Sequence, residues 1–144
     1  MHGQILALLT LLFLLRVLGQ ALVVYAAVGW LPASEHWFSG IIPYPFLLAI
    51  QIVMLAGMIK ISADIWRAEG YFAAPQPNWP RLLTGISALY AGSMAGRYIL
   101  TMILHPDMRW LGGTIPIFFH FVLAGFIFML GRYHAQSRHT HDRV

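Results

Sequence analysis

The stretch ILALLTLLFLLRVLGQALVVYAAVGW, residues 5–30, decides the fold class because it is apolar over almost its whole length. About 20 apolar residues in a helix are enough to cross the roughly 30 Å hydrocarbon layer of a membrane. A membrane strand would instead alternate apolar and polar residues over about ten positions, and this run does not alternate. The stretch therefore predicts a transmembrane helix.

Three further stretches have the same character, and the composition of the chain agrees with them. Of the 144 residues, 59% are hydrophobic and 10% are charged, and the mean hydropathy is +0.70, whereas soluble domains contain about 25% charged residues. The predicted spans are about 5–30, 41–61, 82–104 and 115–133, followed by a basic tail at 134–144. We therefore predict an all-α integral membrane protein, in which residues 1–144 form one four-transmembrane-helix bundle.

Basic residues lie mainly on one side of the predicted membrane, and this asymmetry predicts the orientation. Arg109 is the basic residue on the other side. Six basic residues lie on the opposite side, where they flank the second connection or follow the last span: Lys60, Arg67, Arg81, Arg132, Arg138 and Arg143. Both termini are therefore expected in the cytoplasm, with the chain in a bacterial inner membrane. We interpret the basic tail as a topology anchor that attracts anionic lipid, and expect no nucleic-acid partner.

Polar residues inside the predicted spans are the candidate ligand-binding residues, because charge is costly there. Arg16 lies near the middle of the first span, and Gln20 shares its face one turn later. Arg97 lies about 12 Å from the outer end of the third span, beside Tyr98, and either extends to the headgroups or binds an anion in the bundle. His120 lies at a similar depth in the fourth span. We predict that these five residues line a pocket near the outer leaflet.

The anion that balances the arginines does not come from a span. All five acidic residues lie in connections or in the tail: Glu35, Asp64, Glu69, Asp107 and Asp142. The anion is then an acid that folds in from an outer connection, an acid on another subunit, or a bound anionic amphiphile. In a purely structural alternative, backbone carbonyls and side-chain amides such as those of Gln20 and Gln51 solvate both guanidinium groups.

Glycines in the third span predict a close helix contact. Gly85, Gly92 and Gly96 recur at spacings of seven and four, and the last two form a GxxxG pair. We expect this face to pack against another helix, and we expect Arg97 to lie near that contact. Because four helices form a thin wall, a homo-oligomer or a larger membrane complex is expected as well.

Histidines allow an alternative with a cofactor. His120 together with His105, at the edge of the third span, could ligate b-type haem or bind a quinone, and Arg97 would suit a haem propionate. The chain contains no cysteine, so cysteine-ligated metals and disulfides are excluded. The tail histidines, His134, His139 and His141, are interpreted as solvated residues and not as a metal site.

No catalytic motif occurs in the sequence, and no pair of carboxylates lies inside a predicted span. The chain is similar in length to the small four-helix multidrug exporters, and that likeness implies a carboxylate in the first helix, where this chain has Arg16. A small transporter is therefore the least favoured class. The function that we predict is a non-catalytic subunit or binding module that holds an anionic amphiphile, or a partner's carboxylate, in the membrane.

Overall fold

The computed structural model describes residues 1–26, 28–31, 43–104 and 114–141, and the chain there is helical apart from short connections. The helices are α1 (His2–Ala26), α2 (Tyr44–Arg67), α3 (Trp79–Leu104) and α4 (Thr114–His141). The described ranges contain no strand. The all-α class is confirmed, and each predicted span overlaps one helix.

Prolines lie at the starts of three helices. Pro43 precedes α2 in an extended conformation, with φ −54° and ψ 136°, while Pro80 and Pro116 lie in the first turns of α3 and α4. Amides in the first turn have no acceptor within the helix, so proline removes no hydrogen bond there. α2 ends at Ala68, which adopts a left-handed conformation with φ 54° and ψ 32°.

Three helices are long and apolar enough to cross a membrane: His2–Ala26, Tyr44–Arg67 and the section Pro116–Ser137 of α4. Large apolar side chains also cover the outside of the bundle, including Val53 at 73% exposed and Leu89 at 74%. Both observations are consistent with a membrane protein. α3 does not reach the same apolarity, because glycines, serines and Arg97 interrupt its apolar residues.

Three pairs of helices are in contact in the described ranges. α1 packs against α2 and α4, and α3 packs against α4. Among the described residues, no Cα atom of α2 lies within 8 Å of a Cα atom of α3. The helices therefore contact each other in the order α2, α1, α4, α3.

The apolar core lies toward one end of this bundle, which we call the terminal end because α1 begins and α4 finishes there. Its buried members come from α1, α2 and α4: Leu6, Phe13, Val17, Met58, Ile65, Phe126 and Leu130. Polar contacts between helices also occur here, since the hydroxyl groups of Thr10 and Ser62 lie 3.0 Å apart. The other end, which we call the distal end, is where α1 ends and α4 begins.

α4 is longer than the predicted fourth span. It continues to His141, so most of the predicted tail is helical. His134 is 0% exposed, and its ring centroid lies 5.1 Å from that of Trp79 and 5.3 Å from that of Tyr133. The interpretation of His134 as a solvated residue is wrong, because α4 carries it over the start of α3. The side chains of His139 and His141 lie outside what the structure describes.

The glycines of α3 do not form a helix contact within the chain. A methyl group placed on Gly85, Gly92 or Gly96 would meet no described atom within 4 Å. The predicted packing of these glycines inside the bundle is therefore wrong for the described part of the chain. The physical reason is that α3 packs against α4 alone, and the three glycines lie on its opposite face.

Candidate functional site

Each helix contributes a polar side chain to one layer inside the bundle. We call this layer the polar cluster, and its members are Arg16 and Gln20 from α1, Gln51 from α2, Tyr90 from α3 and His120 from α4. Its position is distal to the apolar core. A layer of polar groups from four helices is the most unusual feature of a bundle whose remaining described interior is mostly apolar.

Arg16 lies at the centre of the polar cluster. Its side chain is 9% exposed, and its Cζ atom lies 5.3 Å from the ring centroid of Phe119 on α4. The guanidinium group also lies within electrostatic range of Tyr44 on α2 and Tyr90 on α3. A cation held over an aromatic face is stabilised by about 2 kcal/mol when both groups are desolvated. Arg16 therefore interacts with groups from all three other helices.

A pair of glutamines joins α1 to α2 in this layer. The Nε2 atom of Gln51 donates a hydrogen bond of 2.8 Å to Oε1 of Gln20. Gln20 is 0% exposed and Gln51 is 2% exposed, so water does not replace this bond in either partner. Gln20 lies one turn after Arg16, as the sequence predicted, and the amide pair fixes α1 and α2 beside the guanidinium group.

A second polar bridge joins α3 to α4. The hydroxyl oxygen of Tyr90 lies 2.5 Å from Nδ1 of His120, and the two rings meet edge to face, 5.7 Å apart. When the phenol donates, His120 carries its proton on Nε2. No hydrogen bond joins Nε2 to another described residue. In that tautomer, His120 offers Nε2 as a donor to a further group.

Two of the predicted site residues, Arg97 and Tyr98, are not members of the polar cluster. Arg97 is exposed, and Tyr98 is half-buried, as Tyr90 and His120 also are. Arg97 follows Tyr90 by seven residues and hence shares its face of α3, and it lies within electrostatic range of His120. The expectation that Arg97 lies at a close helix contact beside Gly96 is wrong within the described chain, because no atom approaches Gly96 on that side.

Haem ligation by His105 and His120 stays a prediction. His105 lies outside the described residues, and His120 has its Nδ1 atom engaged by Tyr90. Coordination by His120 would thus have to use Nε2. Within the described ranges, no group of three or more histidine or acidic side chains is arranged to hold a metal ion.

Sequence reasoning missed two members of the polar cluster. Gln51 was predicted only as one of several groups that could solvate an arginine, and Tyr90 was not among the predicted site residues. The available signal was the same for both, since each is a polar residue within an apolar helix. Which face each residue occupies depends on how the helices rotate against each other, and that rotation comes from the packing.

Polar groups at the terminal end have a structural role. Asp64 accepts a 2.5 Å hydrogen bond from Lys60 one turn earlier in α2. Surface cavities also occur at this end, one of about 540 Å³ at the start of α3 and one of about 330 Å³ between α1 and α2. Neither cavity is lined by a member of the polar cluster. The polar cluster remains the candidate site because it brings polar groups of all four helices together.

No family model, curated protein or solved structure matches this chain. Function is therefore inferred from the residues and their geometry.

Proposed function

We propose that the chain is a four-span membrane protein of non-catalytic character, which binds the anionic headgroup of a membrane amphiphile in the polar cluster. The observation that supports this proposal is the position of Arg16, which is almost fully buried at the level where polar groups of all four helices meet. A buried cation inside a membrane bundle is expensive, and such residues commonly mark ligand sites.

The fourth span in this proposal is α3. It contains 26 residues, which corresponds to about 39 Å of helix. It lies along α4 from the contact of Leu83 with Gly131 near the terminal end to the bridge between Tyr90 and His120. These contacts cover about 10 Å of α3, and because α4 is apolar enough to cross a membrane, a helix held along it is expected to enter the same layer. The excess of basic residues favours a cytoplasmic location for both termini.

The chemistry of the polar cluster favours an oxyanion as the ligand. Arg16 supplies a guanidinium group, whose planar set of donors matches a carboxylate or a phosphate. The Nε2 atom of His120 supplies a further donor, while Gln51 and Gln20 hold the adjacent helices in place. An amphiphile suits the location, because its chains remain in the membrane while its headgroup enters the bundle.

The test is ligand-dependent thermal stability of the purified chain in a neutral detergent. Oleate supplies the carboxylate probe, and methyl oleate supplies the same chain without the charge. A ligand that binds only the folded state raises its stability by mass action. We expect oleate, and not methyl oleate, to raise the melting temperature of the wild type, and we expect Arg16→Gln to abolish this increase.

Arg81→Gln is the matched control, because Arg81 is exposed at the terminal end and lies outside the polar cluster. It should retain the full response to oleate. An equal response of Arg16→Gln and wild type would refute the proposal. If oleate has no effect on the wild type and a co-purifying protein instead contributes a carboxylate to Arg16, the site belongs to a subunit interface and not to an amphiphile.

Self-association through α3 is a second part of the proposal. Gly85, Gly92 and Gly96 lie on an outer face that no described part of the chain covers, and such faces allow close approach of another helix in a membrane. A second copy of the chain would bring the same glycine face.

A further inference from the structure

We propose that a groove between α1 and α2 at the terminal end binds one anionic phospholipid, with its acyl chains against the small residues of the groove and its phosphate beside Arg67. This site is separate from the polar cluster and goes beyond the function proposed for that cluster. The groove is the surface cavity of about 330 Å³ between the two helices, a volume within the range of about 300–1,000 Å³ found for small-molecule sites. We call it the interhelical groove, and it is lined by Ala7, Ser62, Ala63, Trp66 and Arg67.

Two close contacts between α1 and α2 border the interhelical groove. Toward the start of α1, a Cβ atom placed on Gly3 would lie 3.1 Å from Cα of Trp66. Toward the middle of α1, the hydroxyl groups of Thr10 and Ser62 lie 3.0 Å apart. Ala7 lies between these contacts on the same face of α1, and its short side chain leaves the gap unfilled. Because the contacts on both sides hold the helices together, the groove is a fixed feature of this helix pair.

The floor of the interhelical groove suits an acyl chain. Ala7 and Ala63 contribute methyl groups, and the hydroxyl of Ser62 already has a partner in Thr10. A hydrocarbon chain in the groove therefore leaves no hydroxyl without a hydrogen bond. Trp66 forms one edge of the groove and is 61% exposed, so a bound chain also covers part of its indole ring.

Arg67 places a positive charge at the end of the interhelical groove. It is the last residue of α2, and it is exposed. In the described part of the chain Arg67 forms no ion pair. It lies within electrostatic range of Asp64, but Lys60 already pairs with that carboxylate. The guanidinium group of Arg67 is therefore suited to an external anion, and its planar donors match the oxygens of a phosphate.

Charge complementarity identifies the occupant as an anionic phospholipid. The groove is apolar along its floor and cationic at one end, and a phospholipid carries its acyl chains and its phosphate in the same order. Tryptophan is enriched at the level of the lipid headgroups, and Trp66 directly precedes the cation. Phosphatidylcholine is a poorer match, because its choline cation offsets the phosphate. Oleate is also a poorer match, since its single chain buries less apolar surface than two acyl chains do.

The experiment measures lipid contact at Trp66, which lines the interhelical groove. The full chain is reconstituted in phosphatidylcholine vesicles that contain dibrominated phosphatidylglycerol or dibrominated phosphatidylcholine, whose bromine atoms quench tryptophan emission on contact. Each protein is prepared with and without Trp66→Phe, and the difference gives the emission of Trp66 alone. Comparison of the two quenching curves then gives the lipid preference at the groove.

Two variants change the groove, and two are matched controls. Arg67→Gln removes the charge, and Ala63→Leu fills the floor while it retains Arg67. Ala56→Leu is the control for added volume, because Ala56 is exposed elsewhere on α2. Arg81→Gln is the control for lost charge, because Arg81 is exposed at the same end and does not line the groove.

We expect the wild type to prefer phosphatidylglycerol at Trp66 by about fivefold, which corresponds to the roughly 1 kcal/mol that one basic residue contributes near an anionic membrane surface. Arg67→Gln should abolish this preference. Ala63→Leu should remove most of it, since the acyl chain no longer fits beside the guanidinium group. Ala56→Leu and Arg81→Gln should retain the wild-type preference.

Equal quenching by the two lipids in the wild type would overturn the site, as would an unchanged preference in Arg67→Gln. An unchanged preference in Ala63→Leu would overturn it too, because diffuse surface attraction then explains the result without a groove. If neither lipid quenches Trp66, the occupant is not a lipid. Arg16→Gln should leave the preference at Trp66 unchanged, and Arg67→Gln should leave the response to oleate unchanged, so that failure of this site and failure of the proposed function are distinguishable.

Discussion

The phenolic oxygen of Tyr90 and the Nδ1 atom of His120 lie 2.5 Å apart across the interface of α3 and α4, within the same layer as Arg16. The two residues are 30 positions apart in the chain. Their contact fixes which side of α3 faces α4. It also makes Nε2 of His120 the ring nitrogen that would face the proposed ligand.

Removal of the Tyr90 hydroxyl should destabilise the bundle. We expect Tyr90→Phe to cost about 1 kcal/mol, because a half-buried imidazole nitrogen then lacks its partner. Thermal unfolding in detergent measures the loss, and Tyr71→Phe is the control because Tyr71 is 63% exposed. Equal melting temperatures for the two variants would show that the hydrogen bond between Tyr90 and His120 contributes no stability.

The glutamine pair should show coupling between α1 and α2. We expect Gln51→Leu to destabilise the fold by about 1–3 kcal/mol, since Gln20 loses the donor of its 2.8 Å bond. Adding Gln20→Leu should cost less than it does in the wild type, because the partner is already absent. A double-mutant cycle in detergent checks this, with Gln4→Leu at an exposed site of α1 as the control. Strictly additive effects would argue against the pair.

The sequence predicted the four helices well because apolar length is a property of each segment alone. Residues 41–61 and 82–104 were placed within six residues of the ends of α2 and α3. The prediction that Arg16 and Gln20 face the interior is also confirmed, since both side chains are buried. A polar pair in the middle of an apolar helix is costly unless it faces the interior. These inferences needed no knowledge of which helices touch.

The positions of Arg97 and the glycines could not be predicted in this way. Gly92 and Gly96 indicate a face suited to a helix contact, but the sequence does not state whether the other helix belongs to the same chain. α3 packs against α4 through the side that carries Ser87, whose hydroxyl donates to the carbonyl of Ala124. That choice turns the glycine face away from α4 and leaves Arg97 exposed.

The turn after α2 should not tolerate a side chain at Gly70. This residue has φ +91°, and a Cβ atom there would lie 2.7 Å from Cγ of Asp64. We expect Gly70→Ala to cost at least about 1 kcal/mol, because alanine is strained at this φ and displaces the carboxylate. Gly57→Ala is the control, since its position is open and alanine favours a helix by up to about 1 kcal/mol. Unfolding by denaturant should show opposite signs for the two variants, and a stabilising Gly70→Ala would contradict the turn geometry.

The outer glycine face of α3 provides the test of self-association. A Cβ atom at Gly92 or Gly96 would meet no described atom of its own chain within 4 Å, so we expect the leucine variants to fold as wild type does. In a second copy packed against this face, the leucine would prevent close approach of the helix backbones. We therefore expect Gly92→Leu and Gly96→Leu to lower the oligomer fraction measured by native mass spectrometry, with no change in helical content by circular dichroism.

Gly131→Leu is the contrasting variant for that experiment. A Cβ atom at Gly131 would lie 3.1 Å from Oγ1 of Thr84 and 3.2 Å from Cβ of Leu83, so leucine there should separate α4 from α3 and lower the melting temperature. Gly131 thus tests packing within the chain, whereas Gly92 and Gly96 test packing between chains. If wild type, Gly92→Leu and Gly96→Leu all show the same mass distribution, α3 does not mediate association, and its glycine face contacts lipid.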